Sequence, residues 1–498
     1  MDALNNMLLG FQVALQPVNL LFCFVGVLTG TLVGVLPGLG PVAAMSLLLP
    51  TTLHVSPAGA IIMLSGIYYG AMYGGSTTSI LVNIPGEAAS VITCLDGYAM
   101  ARHGRAGPAL GMSAFASFIA GTASVMGLML IAPPLAEFAL RFGPPEYFSL
   151  MVLGLAIVTY LASGPVWKSM AMACLGIFLG TIGMDSINAT SRFTFGVLEL
   201  FDGVGLVPVA MGLFGISEVL LNVEQTMERH IFETRISNLL PSRSDWRESI
   251  WPAIRGTCIG FFLGVLPGGG PMISSFVSYA IEKKVSKHPE KFGTGMIAGV
   301  AGPEAANNAA TGGAFVPLMT LGIPGNATTA LLLGALIIYG VQPGPKMVTE
   351  HAGLFWGVIA SMYLGNAMLL VLNLPLIGLW VKILKVPYPI LFPLILLFCL
   401  IGAYSLNNSI AEVGIMIIFG VLGYLFKKFT YEMAPLILGL VLGPLMEHGF
   451  RASLTMFDGR LLQFFQRPIC AAILAIALAI LLLPLIPGFK KGSGFQEG

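Results

Sequence analysis

The residues best suited to bind a solute lie in two short polar stretches of an otherwise oily chain. The first reads Gly74-Gly75-Ser76-Thr77-Thr78-Ser79 and then Asn83-Ile84-Pro85-Gly86-Glu87. The second carries Asn307, Asn308 and Thr311 before Gly312-Gly313, then Thr320, Ile323-Pro324-Gly325-Asn326, Thr328 and Thr329. Each sets hydroxyl and amide side chains beside a Pro-Gly pair, which a regular helix does not tolerate. A helix restarting after such a break offers unpaired N–H groups and a positive dipole end. Such ends receive a carboxylate without a basic side chain. Carbonyls freed at the same break are ligands for Na⁺. Neither stretch contains Lys or Arg, so bound cations would have to supply the missing positive charge. The expected substrate-binding residues are Ser76, Thr77, Thr78, Ser79, Asn83, Pro85, Gly86, Asn308, Thr311, Pro324, Gly325, Asn326 and Thr328. The competing account is that these Ser and Thr residues only allow helices to approach closely. It serves for any one of them, and less well for two clusters at two breaks.

Two more segments repeat one another and must position those stretches. Gly26, Gly30, Gly34, Val35, Leu36, Pro37, Gly38, Gly40 and Pro41 recur as Gly256, Gly260, Gly264, Val265, Leu266, Pro267, Gly268, Gly270 and Pro271, at a constant offset (256 − 26 = 230). Ile84-Pro85-Gly86 recurs as Ile323-Pro324-Gly325 (323 − 84 = 239), the charged loop 282–291 taking up the difference. Gly74-Gly75 resembles Gly312-Gly313, and Leu206-Val207-Pro208…Gly212 weakly echoes Met433-Ala434-Pro435…Gly439. Gly26, Gly30 and Gly34 read as a helix-packing stripe. Paired Pro-Gly breaks at equivalent positions are harder to ascribe to packing, so Gly38, Gly40, Gly268 and Gly270 join Glu304 and Asn307 as expected cation-coupling residues. Glu304 follows Pro303, and a helix cap is the slightly favoured reading of it; coupling is the other. Asp96 and Asp185 are weaker candidates at the membrane boundary.

Composition fixes the setting. The chain has 498 residues, of which 56% are hydrophobic and 9% charged, against about 25% charged in soluble domains. Apolar runs near the length of a span, about 20 residues, fall at 15–36, 109–132, 147–163, 166–184 and 203–221. A second series falls at 251–267, 352–373, 388–404, 408–425, 433–446 and 468–487. The Gly-, Ser- and Thr-rich pieces at 41–53, 57–100, 271–281 and 294–340 are too interrupted to face lipid, and are expected at the protein centre. No Lys or Arg precedes Arg102, so the first apolar run reads as a retained helix and not as a signal peptide. The expected fold is all-α and polytopic: two repeated, inverted halves at 1–221 and 251–450, whose broken or re-entrant helices meet at the bilayer midplane. A charged linker at 222–250 and a terminal piece at 451–498 complete it. The linker, with Arg229, Arg235, Arg243 and Arg247, is expected in the cytoplasm. Inversion is read from opposite charge bias in equivalent loops: Lys283, Lys284, Lys287 and Lys291 against none in 51–57, and Arg102 with Arg105 against Lys346 beside Glu350.

Several classes fall away. A net charge of +1 recommends no nucleic-acid partner. Six scattered cysteines form no CxxC pair, and the sequence has no HExxH, Gly-x-Ser-x-Gly or Walker A motif. A membrane enzyme or a channel is thus the alternative, and a secondary carrier without cofactors or enzymatic activity the main reading.

Gly-Val-Leu-Pro-Gly-Leu-Gly-Pro at 34–41, Gly-Val-Leu-Pro-Gly-Gly-Gly-Pro at 264–271 and Gly-Pro-Glu-Ala-Ala-Asn-Asn-Ala at 302–309 resemble the large membrane subunit of tripartite tricarboxylate transporters. The likeness spans about residues 10–450. It implies a multi-pass protein of the bacterial inner membrane that imports carboxylates on a Na⁺ or H⁺ gradient without nucleotide hydrolysis. It also implies two partners, a small four-helix membrane subunit and a periplasmic solute-binding protein that largely chooses the substrate: a tricarboxylate such as citrate, a dicarboxylate or an aromatic acid. An elevator-type motion is expected by analogy with other binding-protein-dependent carriers.

Overall fold

A computed structural model describes residues 2–483 apart from 37, 163, 186, 225–237, 385 and 387. Pro37, Arg229, Arg235 and the tail after 483 therefore lie outside the described residues. The protein is almost entirely helical; its only described strands are a small ribbon pairing Gly183–Met184 with Ser191–Arg192. Seven described helices are long and apolar enough to cross a membrane. Around them are helices too rich in Gly, Ser and Thr to stand out by hydropathy. Those are the buried ones.

After the helix Asp2–Ala14, the repeat unit of the first half opens with Pro17–Val35, started by a proline that lacks the amide a first turn could not use. Leu36 is extended, and Gly38 and Gly40 take φ values of +92° and +52°. These angles suit glycine and let Gly40–Thr52 turn away. The Ser56 hydroxyl accepts from the Gly59 amide to start Pro57–Val82, which ends on Asn83 in the left-handed region. The second half follows the same course. Arg243–Val265 leads to extended Leu266, Gly268 at φ +77°, then Pro271–Val285. Ala298–Gly313 continues as Phe315–Leu321 and ends on left-handed Gly322, 239 positions after Asn83. Asn and Gly are the residues that enter this region at least cost. Asn83, expected at the substrate, sits at a helix end for backbone reasons.

The glycine stripes show how each pair packs. A Cβ on Gly26, Gly30 or Gly34 would lie 2.2–2.5 Å from the carbonyl oxygens of Met63, Ile67 and Ala71. A Cβ on Gly256, Gly260 or Gly264 would lie 2.2–2.3 Å from those of Gly302, Ala306 and Ala310. The partners differ by 239 throughout (302 − 63 = 306 − 67 = 310 − 71). In return, Gly74 faces the Thr31 carbonyl and Gly313 that of Phe261. The sequence comparison paired Gly74-Gly75 with Gly312-Gly313; the packing instead pairs Gly74 with Gly313 and Gly75 with Ala314. Both long inner helices are buried on all sides, as every residue of Ala298–Gly313 shows. The first helix of the second half starts at Arg243, eight residues inside the stretch read as linker, through a Ser242–Asp245 capping box.

Candidate functional site

Both breaks open on one cavity of about 440 Å³. Its wall is built from equivalent residues of the two halves. Gly38, Gly40, Pro41 and Val42 face Gly268, Gly270, Pro271 and Met272, 230 apart; Gly86, Glu87, Ala88 and Ala89 face Gly325, Asn326, Ala327 and Thr328, 239 apart. Tyr68, Val158, Leu161, Phe214, Glu432 and Leu438 are among the residues that complete it. A duplicated backbone thus makes one central chamber, of a size that takes a small ligand.

Each break restarts through a capping box. Glu87 accepts the Ala89 amide at 2.5 Å and donates its own N–H to the Ser90 hydroxyl at 3.4 Å. Asn326 accepts the Thr329 amide at 2.9 Å and donates its N–H to the Thr329 hydroxyl at 3.0 Å. Each cap is also touched by the long helix of the other half. Asn326 Nδ2 donates to the Tyr68 hydroxyl at 2.8 Å, and Asn307 Nδ2 lies 3.4 Å from Glu87 Oε1. Tyr68 and Asn307 are 239 apart, as are Glu87 and Asn326. The helix Ala327–Ile338 points its N-terminal turn, with Thr328, at the cavity. No described Lys or Arg lines this cavity, while Glu87 and Glu432 do.

Nine of the expected residues reach the cavity wall: Gly38, Gly40, Pro85, Gly86, Gly268, Gly270, Gly325, Asn326 and Thr328. Of the others, Asn83 is exposed outside it and the rest are buried behind it. Ser76, Thr77, Thr78 and Ser79 are buried within Pro57–Val82. Thr78 donates to the Val35 carbonyl at 2.6 Å and Ser79 to that of Gly75 at 3.1 Å. Thr311 donates to the Asn307 carbonyl, Asn308 to the Ser117 hydroxyl at 2.7 Å, and Pro324 does not line the chamber. Glu304 is 1% exposed and held by neutral donors: Ser76 donates to it at 2.5 Å, Thr93 also donates, and Ser113 and Ser117 face it. It lies three residues from Asn307, on the same side of the helix. These hydroxyls join helices of both halves into one polar layer.

Tyr68, Thr93 and Ser117 carried no signal in the sequence. Glu87 did: continuing the 239 offset by one residue beyond Gly86 pairs it with Asn326. Asp96 and Asp185 are tied down elsewhere. Asp96 Oδ1 accepts the amides of Gly293, Gly295 and Met296 at 2.8–2.9 Å, and Oδ2 accepts the Tyr279 hydroxyl. Asp185, beside the ribbon, accepts the Asn188 and Ile187 amides and the Arg451 guanidinium. The Asn188 amide first, then Arg451, hold its carboxyl well below the usual carboxylate range. Among the described residues, no group of three His, Cys, Asp or Glu side chains is placed to hold a metal ion.

A multi-pass membrane protein whose two copies of a broken-helix unit enclose one chamber has the architecture of a transport protein. The sequence profile of the tripartite tricarboxylate transporter TctA family matches residues 20–438, and the chain belongs to that family. It is similar to an uncharacterised 52.8 kDa protein of the TAR-I ttuC′ 3′ region of Agrobacterium vitis, 51% identical over 99% of this chain and 98% of that one. An uncharacterised protein of the TAR-II ttuC′ 3′ region of the same organism is 50% identical over 47% of this chain and 96% of its own length. No solved structure matches this chain.

Proposed function

We propose that this chain is the large membrane subunit of a binding-protein-dependent carrier that imports carboxylates on a cation gradient, with Na⁺ as the coupling ion. It works in a bacterial inner membrane beside a small membrane subunit and a periplasmic binding protein. The observation that carries the reading is the chamber itself, walled by both breaks at equivalent positions. One carboxylate of the solute meets the amides at the start of Ala327–Ile338, with the Asn326 and Thr328 side chains beside it. With Glu87 and no Lys or Arg among the described residues of the wall, a carboxylate enters only if cations come with it. That links solute to ion on electrostatic grounds.

The halves are inverted in this reading. The end of Gly40–Thr52 meets the end of Ala327–Ile338, where Tyr339 donates to the Thr52 carbonyl and hydroxyl. The helical stretch 88–102 after the first break meets the loop after Pro271–Val285, through Asp96 and residues 293–296. Such a crossing follows when equivalent ends face opposite sides. Arg105 pairs with Asp245 on the Arg- and Lys-rich side, and the positive-inside rule supports reading that side as cytoplasmic.

The test is uptake of labelled citrate into proteoliposomes holding this chain, its small subunit and its binding protein, with and without an inward Na⁺ gradient. Uptake that needs both the gradient and the binding protein supports the reading. Uptake by the chain alone overturns the partner assignment. If citrate fails, dicarboxylates and aromatic acids follow, and failure of all three classes overturns the substrate class.

A further inference from the structure

The two breaks share a backbone course but carry different chemistry. At the cap position one has a carboxylate, Glu87, and the other a neutral amide, Asn326. The residue facing each cap from the opposite half differs as well. Tyr68 brings a hydroxyl that accepts from Asn326 at 2.8 Å. Asn307 brings an amide whose nitrogen is 3.4 Å from Glu87 Oε1 and whose oxygen has no hydrogen-bond partner, although Asn307 is only 1% exposed. A buried amide oxygen left without a donor costs about 1–3 kcal/mol. Here the amide that carries it stands beside the Glu87 carboxylate, which lines the chamber. Two hard oxygen ligands on opposite halves, one charged and one lacking a donor, supply the protein's part of the oxygen shell of a small monovalent cation.

From this geometry we infer a Na⁺ site between Glu87 and Asn307, at the first break only. The proposal rests on the cation-coupled reading above and gives it a place. Glu87 Oε1 and Asn307 Oδ1 are the protein ligands, after rotation of the Asn307 amide turns its oxygen toward the ion. Water from the chamber fills the remaining positions, since Glu87 lines that wall. The second break holds no such site, because Asn326 and Tyr68 already satisfy one another. The ion links the first half's restart to the second half's long helix, so its arrival fixes the wall that the carboxylate then meets. Gly75 makes room for this arrangement: a Cβ there would lie 2.7 Å from Glu87 Cγ, and its equivalent in the second half is Ala314.

The experiment is binding of radioactive Na⁺ to the purified full-length chain, read by scintillation proximity. The wild type is expected to bind saturably. Glu87→Gln keeps an oxygen for the Ala89 amide, so it preserves the cap while removing the charge; it is expected to lose about a hundredfold in Na⁺ affinity. Asn307→Ala is expected to lose about tenfold, and Lys346→Ala, an exposed residue outside the chamber wall, to bind as the wild type does. Monodisperse elution of each variant shows that it is folded. Wild-type affinity in a folded Glu87→Gln variant overturns the site, as does a wild type that binds no Na⁺ and instead takes up protons with its solute. Failure of the carboxylate reading looks different: Na⁺ binding would persist and remain Glu87-dependent, while none of the three solute classes is taken up.

Discussion

The two breaks begin alike and end unalike. At the first, a Cβ on Gly86 would lie 2.1 Å from the Gly34 carbonyl oxygen and 2.5 Å from the Gly75 Cα. At the second, the nearest atom to a Cβ on Gly325 is 3.8 Å away. The tight break has glycine at 75 and restarts over 88–102 as helical turns of changing pitch, 3-10, α and π; the open one has Ala314 and restarts as the regular twelve-residue helix Ala327–Ile338. Duplication supplied one backbone plan, and the two copies then took separate work. The first is packed to hold an acid in place; the second presents amides to open space.

That contrast can be broken in steps. The largest effect is expected from Gly86→Ala, which drives a methyl into backbone on two sides and should cost about 3 kcal/mol. Gly325→Ala, with room to spare, should stay within about 1 kcal/mol of the wild type. Thermal unfolding in detergent compares the two, and equal losses would erase the distinction between the breaks. Next, Glu87→Asn makes the caps chemically alike. It should abolish the Na⁺ dependence of uptake, because the chamber then has no acid at either cap; an unchanged Na⁺ response would show that the asymmetry is without consequence.

Smaller changes sharpen the comparison. Tyr68→Phe removes one interhelical hydrogen bond from Asn326, and membrane proteins lose about 0.6–1.7 kcal/mol for such a bond. The same unfolding assay should find a loss in this range and an unchanged Na⁺ affinity. Least of all, Asp185 lies outside the spanning segments and has a depressed pKa. A depressed carboxylate adds stability that is fully present above its unfolded pKa, about 3.9, and is lost as pH falls through the folded value. The protein should therefore lose some stability below about pH 4, and Asp185→Asn should flatten that acid limb. An identical acid limb in the variant would assign the loss to other carboxylates.

The repeat was legible because helix packing and breaks are written in Gly and Pro, whose backbone needs do not depend on distant partners. Offsets of 230 and 239 in sequence became carbonyl contacts in space, with one register shifted by a residue. The site was legible only in part. Ser76 to Ser79 looked like ligands because polar side chains in an apolar helix usually need a purpose. A helix buried on every side, however, gives no sign of which face meets a chamber and which meets another helix. Ser76 meets Glu304, and Thr78 meets the carbonyl of Val35. The partners of Glu87 are hidden for a related reason: Asn307 is 220 residues away, and only the fold brings the two together.

The binding of Asp96 has a consequence for how the protein is made. Its three backbone donors belong to residues 293–296, about two hundred positions further along the chain, the first of them 197 residues away. At about 5–20 residues per second, the ribosome delivers them about 10–40 s after Asp96 itself. Through that interval the first half is in the membrane with an acid whose final partners do not yet exist. Its restart cannot settle early, and the second half completes the first while it folds.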